Sequence, residues 1–112
     1  EYAAEHLGVP LIVVLGHSHC GAVTAACQAR LTPHGAPASG HLAALIDAIL
    51  PAVEEAQPLA GDPVDNAARI LARRIAERLR ACEPVLRHRV AEGKLRIVGA
   101  FYDLASGLVE LL

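Results

Sequence analysis

The chain has 112 residues, is 54% hydrophobic and 20% charged, and carries a formal net charge of -2. That length accommodates one domain, residues 1–112, of globular composition. The near-neutral charge and the three aromatic residues, Tyr2, Phe101 and Tyr102, exclude a basic nucleic-acid footprint or a base-stacking surface, and the longest apolar run, Val9 to Leu15, is too short to span a bilayer.

The chain opens on Glu1-Tyr2-Ala3-Ala4-Glu5-His6-Leu7, helix-favouring residues with no capping Ser, Thr, Asp or Asn ahead of them. This start reads as a cut, so the expected cytoplasmic location cannot be checked against a targeting segment. Val9 to Leu15 is a β-branched apolar run ending at Gly16 and is expected to be a strand buried on both faces. Cys20 to Leu31 follows as a helix with Val23, Ala26, Cys27 and Leu31 on one side, and Thr32 to Gly40 reads as a loop. Leu42, Leu45, Ile46, Ile49, Leu50 and Val53 keep helical spacing, with Pro51 interrupting or kinking that helix near its end. After a second loop, Pro58 to Pro63, either Asp62 or Asp65 caps a helix whose apolar stripe is Ile70, Leu71, Ile75, Leu79 and Cys82. Arg69, Arg73, Arg74, Arg78 and Arg80 fall mostly off that stripe, on a solvated face. Glu83-Pro84 starts a short helix that ends at Gly93, and Leu95 to Tyr102 is a second strand. Asp103 to Gly107 turns the chain, with the Asp103 side chain bonding its own backbone, and Leu108 to Leu112 returns antiparallel.

The sum is an α/β fold: a mainly parallel sheet flanked by helices, with a C-terminal antiparallel hairpin strand. The crossover between the two parallel strands is expected to be right-handed. A strand as apolar as Val9–Leu15 calls for a neighbour on each side, yet only Leu95–Tyr102 offers itself. A further strand is therefore expected upstream.

Cys20, Cys27 and Cys82 are an odd set without a disulfide-rich background, so reduced thiols are expected, with Cys27 a buried small hydrophobe. His6, His34, His41 and His88 lack ligand partners in sequence and are expected at the surface. The chemistry concentrates in Gly16-His17-Ser18-His19-Cys20-Gly21-Ala22, where the first strand ends and a helix begins, the usual ligand position of an open α/β sheet. His17 and Cys20, three apart across a turn, can converge on one zinc ion. Spacing alone favours an ordinary hydrogen-bonded histidine over a metal ligand at a strand end. His19 is expected to face the pocket or solvent.

The segment from Glu1-Tyr2-Ala3 through Gly16-His17-Ser18-His19-Cys20-Gly21-Ala22 resembles the second half of the β-class carbonic anhydrase active site, an E-Y-A helix, an apolar strand and G-H-x-x-C-G-A. The far end, Gly93-Lys94-Leu95 through Gly99-Ala100-Phe101-Tyr102-Asp103-Leu104 and Ser106-Gly107, is similar to the family's closing pattern. Asn66 and Pro84-Val85-Leu86 fall where the family has similar residues, so the resemblance covers essentially the whole chain. It implies a Zn2+ cofactor held by one His and two Cys, CO2 and bicarbonate as substrate and product, and a homodimer or larger homo-oligomer. His17 and Cys20 take two of the ligand positions, and Gly21 and Ala22 line the substrate pocket. The family's first Cys lies in an upstream C-x-D-x-R motif whose Asp and Arg manage access to the metal. That motif does not occur in residues 1–112, so the chain reads as an incomplete form of the fold, by itself inactive. Two other readings stay open: a non-catalytic binding or assembly domain of the same descent, and an anion site at a helix N-terminus, which the missing glycine-rich phosphate pattern disfavours.

Overall fold

The computed structural model describes residues 1–31 and 40–112. Most of the expected Thr32–Gly40 loop, His34 included, lies outside the described residues. A single turn of helix, α1 (Tyr2–Glu5), leads into strand β1 (Leu11–His17). Helices α2 (Gly21–Leu31), α3 (His41–Ala56), α4 (Pro63–Arg80) and α5 (Val85–Ala91) follow. Strands β2 (Arg96–Tyr102) and β3 (Val109–Leu111) close the chain.

The sheet has the order β1-β2-β3. Strands β1 and β2 run parallel, from Leu11 opposite Arg96 to His17 opposite Tyr102. Strand β3 returns antiparallel to β2, with Ala100 opposite Leu111. This is the α/β fold expected from the sequence, although β1 starts and ends two residues later than the apolar run.

Helix α4 organises the packing. Its cap is Asp62, whose carboxylate accepts from the Val64 and Asp65 amides at 2.9 Å each, with Pro63 in the first turn. The helix crosses the sheet face formed by Ile12, Val14, Gly16, Ile97, Gly99 and Phe101. The buried side of α4 is Ala67, Ala68, Ile70, Ala72 and Ala76. Of the expected stripe, Ile70 is buried and Leu71, Leu79 and Cys82 pack partly buried against the core, whereas Ile75 is 39% exposed. Small residues meet glycines here. A Cβ on Gly16 would lie 2.9 Å from the Ala68 carbonyl oxygen, and one on Gly99 would touch Ala72 at 3.4 Å. The approach is too close for a leucine on either surface.

The arginines of α4 also depart from a purely solvated face. The Arg69 guanidinium stacks 3.9 Å from the Phe101 ring centre and pairs with Glu110. Arg74 pairs with Glu55 at 2.9 Å, and Arg80 Nε donates to the Ile97 carbonyl at 2.8 Å. Helix α3 runs on past Pro51 to Ala56. Its last turn is held by burial of Ala52, Val53 and Ala56 in the core shared with α2 and α4, which offsets the hydrogen bond that proline lacks.

Strand β1 is not buried on both faces. Ile12, Val14 and Gly16 are half-buried under α4, whereas Leu11, Val13 and Leu15 are 50%, 46% and 51% exposed. Those three share a face with His17 and, across the register, with Val98, Ala100 and Tyr102. Among the described residues β1 is also an edge strand. No helix of the described residues is long and apolar enough to cross a membrane.

Candidate functional site

Strand β1 delivers His17 as its last residue, and Gly21 opens α2, so the site is the connection Ser18-His19-Cys20 between them. It sits at the C-terminal end of a parallel strand, beside the turn that follows β2. His17 is half-buried, and its Nδ1 lies 3.0 Å from the Ser18 carbonyl oxygen. A carbonyl oxygen can only accept, so the contact places a proton on Nδ1, and in the neutral imidazole Nε2 is then the nitrogen open to a ligand.

Cys20 is a free, half-buried thiol. Its carbonyl accepts from the Thr24 amide and the Thr24 hydroxyl, both at 2.9 Å, which fixes the first turn of α2 behind the sulfur. His19 is exposed and takes a left-handed φ of 55°. Its amide donates to Asp65 Oδ1 at 3.3 Å, tying the connection to the first turn of α4. Asp65 therefore serves the site turn, while Asp62 supplies the helix cap.

Gly21 is exposed, and a Cβ there would meet nothing within 4 Å. Packing within this chain does not demand a glycine at the start of α2, and the space beside it is open. Ala22 is half-buried against the core of α2, α3 and α4.

The donor chemistry fits zinc at two positions, one imidazole nitrogen and one thiol sulfur. Among the described residues no group of three or more His, Cys, Asp or Glu side chains could hold a metal. Cys27 is half-buried against the core of α2, α3 and α4, and burial, and secondarily the Asp62 charge, push its thiol above the usual range and favour the protonated form. Two surface clefts, of about 510 and 300 Å³, lie between α3 and α4 and beside Cys27, and neither includes His17 or Cys20 in its lining.

Sequence reasoning passed over Ser18. It is 2% exposed, and its hydroxyl accepts from the Leu104 amide at 3.0 Å. Its own amide donates to the Tyr102 carbonyl at 3.0 Å. The available signal was its position: a small hydroxyl residue enclosed between two candidate ligands at a strand end. Asp103 behaves as expected, accepting from the Ala105 amide at 3.0 Å, and also from the Ser106 hydroxyl at 2.7 Å. The Ser106 hydroxyl, then the Ala105 amide, and more weakly the Ser18 hydroxyl hold the Asp103 carboxyl below the usual carboxylate range.

Comparison with known proteins gives one consistent result. Residues 1–109 match the family model described as carbonic anhydrase. The chain is 36% identical over 111 residues to carbonic anhydrase 2 of Mycobacterium tuberculosis, covering 99% of this chain and 53% of that protein. It is 34% identical over 110 residues to carbonic anhydrase 1 of Escherichia coli O157:H7, covering 97% of this chain and 49% of that one. Among solved structures, a tetrameric β-carbonic anhydrase of the ascomycete Sordaria macrospora superposes with a TM-score of 0.81 at 26% identity, covering 100% of this chain and 56% of that one. A β-carbonic anhydrase of Aspergillus fumigatus gives 0.78 at 28% identity, with 100% and 52% covered. The chain thus spans about half the length of the relatives it matches.

Proposed function

The chain belongs to the carbonic anhydrase family, in its β class, and from that membership we propose that the protein at its natural length hydrates CO2 reversibly to bicarbonate with a zinc cofactor. The observation that carries this reading is the His17–Cys20 connection: two zinc-type donors at the end of a parallel strand, with the Nδ1 proton of His17 committed to the Ser18 carbonyl. His17 Nε2 and Cys20 Sγ would hold the ion. Zinc, when bound, supplies the Lewis acidity that makes water nucleophilic at neutral pH. The chain's own residues then have three tasks. His17 and Cys20 fix the ion at the strand end. Gly21 and Ala22 leave room beside it for a small, linear, apolar substrate, in keeping with the open space at Gly21. The hairpin after β2 keeps the connection from rearranging.

A third ligand, with the Asp–Arg pair of C-x-D-x-R, would come from a segment outside residues 1–112, as the twofold longer relatives allow. The Sordaria relative is tetrameric, and self-association is proposed for this protein too.

The test is purification of the natural-length protein with zinc, followed by metal analysis and stopped-flow CO2 hydration. One zinc per chain and clear hydration are expected, with both lost in Cys20→Ser. The 112-residue chain alone should retain little zinc and show negligible hydration, because two protein ligands fall short of the three of a catalytic zinc site. A natural-length protein that binds no zinc, or hydrates no CO2, would leave the assembly-domain reading in its place.

A further inference from the structure

We propose that Ser18 is a positioning residue for His17 and Cys20, and that the hairpin between β2 and β3 is its anchor. What is positioned rests on the zinc reading above, but the geometry that carries the proposal needs no metal.

Burying a hydroxyl is unfavourable unless it is hydrogen-bonded, and Ser18 is 2% exposed. Its hydroxyl accepts from the Leu104 amide at 3.0 Å. The backbone of Ser18 is used in both directions. Its amide donates to the Tyr102 carbonyl, and its carbonyl accepts from His17 Nδ1, each at 3.0 Å. One residue therefore joins the imidazole of His17 to the hairpin between β2 and β3.

The anchor is itself closed. The Asp103 carboxylate takes the Ser106 hydroxyl and the Ala105 amide, and the Gly107 amide donates to the Asp103 carbonyl at 2.8 Å. On the other side, Asp65 holds the His19 amide. The connection that carries both donors is thus fastened on two sides before any ion arrives. An ion that finds its ligands already ordered does not lose binding free energy to ordering them.

A merely structural serine would stabilise the fold without changing metal affinity, and the experiment separates the two. Wild type, Ser18→Ala, Ser18→Thr and Ile97→Val are compared in the natural-length protein. The readouts are amide hydrogen exchange and cobalt(II) affinity measured against a competing chelator. Ser18→Ala is expected to lose protection at Leu104 and also at His19 and Cys20, and to bind cobalt(II) about 10–100-fold more weakly. Ser18→Thr keeps the hydroxyl and should recover both. Ile97→Val, in the separate core cluster around Leu86 and Leu95, should lower stability and leave cobalt affinity unchanged. Unaltered protection at His19 and Cys20 in Ser18→Ala overturns the proposal, as does an equal loss of affinity in Ile97→Val. If Ser18→Ala does not fold, Asp103→Asn, which loosens the hairpin turn that carries Leu104 and leaves Ser18 itself intact, is judged by the same criteria. A wild-type protein that takes up no cobalt refutes the zinc reading, and the exchange pattern then decides on Ser18.

Discussion

His19 adopts the left-handed region in the middle of the site connection, a conformation that glycine tolerates and β-branched residues do not. His19→Gly should fold with stability within about 1 kcal/mol of wild type, relief of the left-handed strain being offset by a freer unfolded chain. His19→Val should lose about 1–2 kcal/mol. Urea midpoints at constant m-value would read both, and a Val variant as stable as wild type would refute the strain. Asp103 gives a pH dependence with a definite sign. Its folded pKa lies below that of a free Asp carboxyl, about 3.9. Its contribution is therefore present above that value and is lost as pH falls through the lower, folded one. Acid unfolding of Asp103→Asn should lack this component, which exchange at the Ala105 amide would detect. Of the candidate site, His17 and Cys20 stood out in the sequence through the resemblance of Gly16 to Ala22 to a family motif, since an H-x-x-C spacing alone also suits an ordinary histidine. Ser18 was not legible, because what buries it, Tyr102 and Leu104, lies at the other end of the chain.

At the level of elements, the strands and most helices were legible from apolar runs and turn residues. The face of α4 was legible in part. Ile70, Leu71 and Leu79 pack inward as their spacing predicts, but periodicity weights large side chains, and the close approach of this helix to the sheet is made by alanine against glycine. Two substitutions separate close approach from ordinary packing. Gly16→Ala places a methyl 2.9 Å from the Ala68 carbonyl, which belongs to helix backbone and cannot swing aside. It should cost about 1–3 kcal/mol and disturb His17 one residue later. Gly99→Ala meets Ala72 at 3.4 Å, and should be close to neutral. There the overpacking is slight, and alanine is favoured over glycine in a strand by roughly 0.5–1 kcal/mol. Thermal unfolding of the pair checks this, and equal losses would mean that α4 moves freely over the sheet.

For the molecule as a whole, the outer face of β1 is an exposed apolar surface along an open strand edge. Leu11, Val13 and Leu15 stand half exposed along a strand whose second edge has no partner among the described residues. Exposed apolar strand edges template association. The isolated chain should therefore self-associate in sedimentation at micromolar concentration, and Val13→Asp with Leu15→Asp should shift it towards monomer. A wild-type chain that sediments as a monomer throughout would count against it. From sequence, a strand needing cover on both faces was expected there with only one neighbour within residues 1–112, because hydrophobicity reports that a surface needs burial and not which stretch of chain supplies the cover. The bond between Ser18 and Leu104 has a further consequence, in time. Its partners are 86 residues apart. At ribosomal speeds of about 5–20 residues per second, the first waits roughly 4–17 s for the second to be synthesised. Throughout that interval the sticky strand exists without the hairpin, and the donors without their fastening. A nascent chain of this kind is a natural client for holding chaperones.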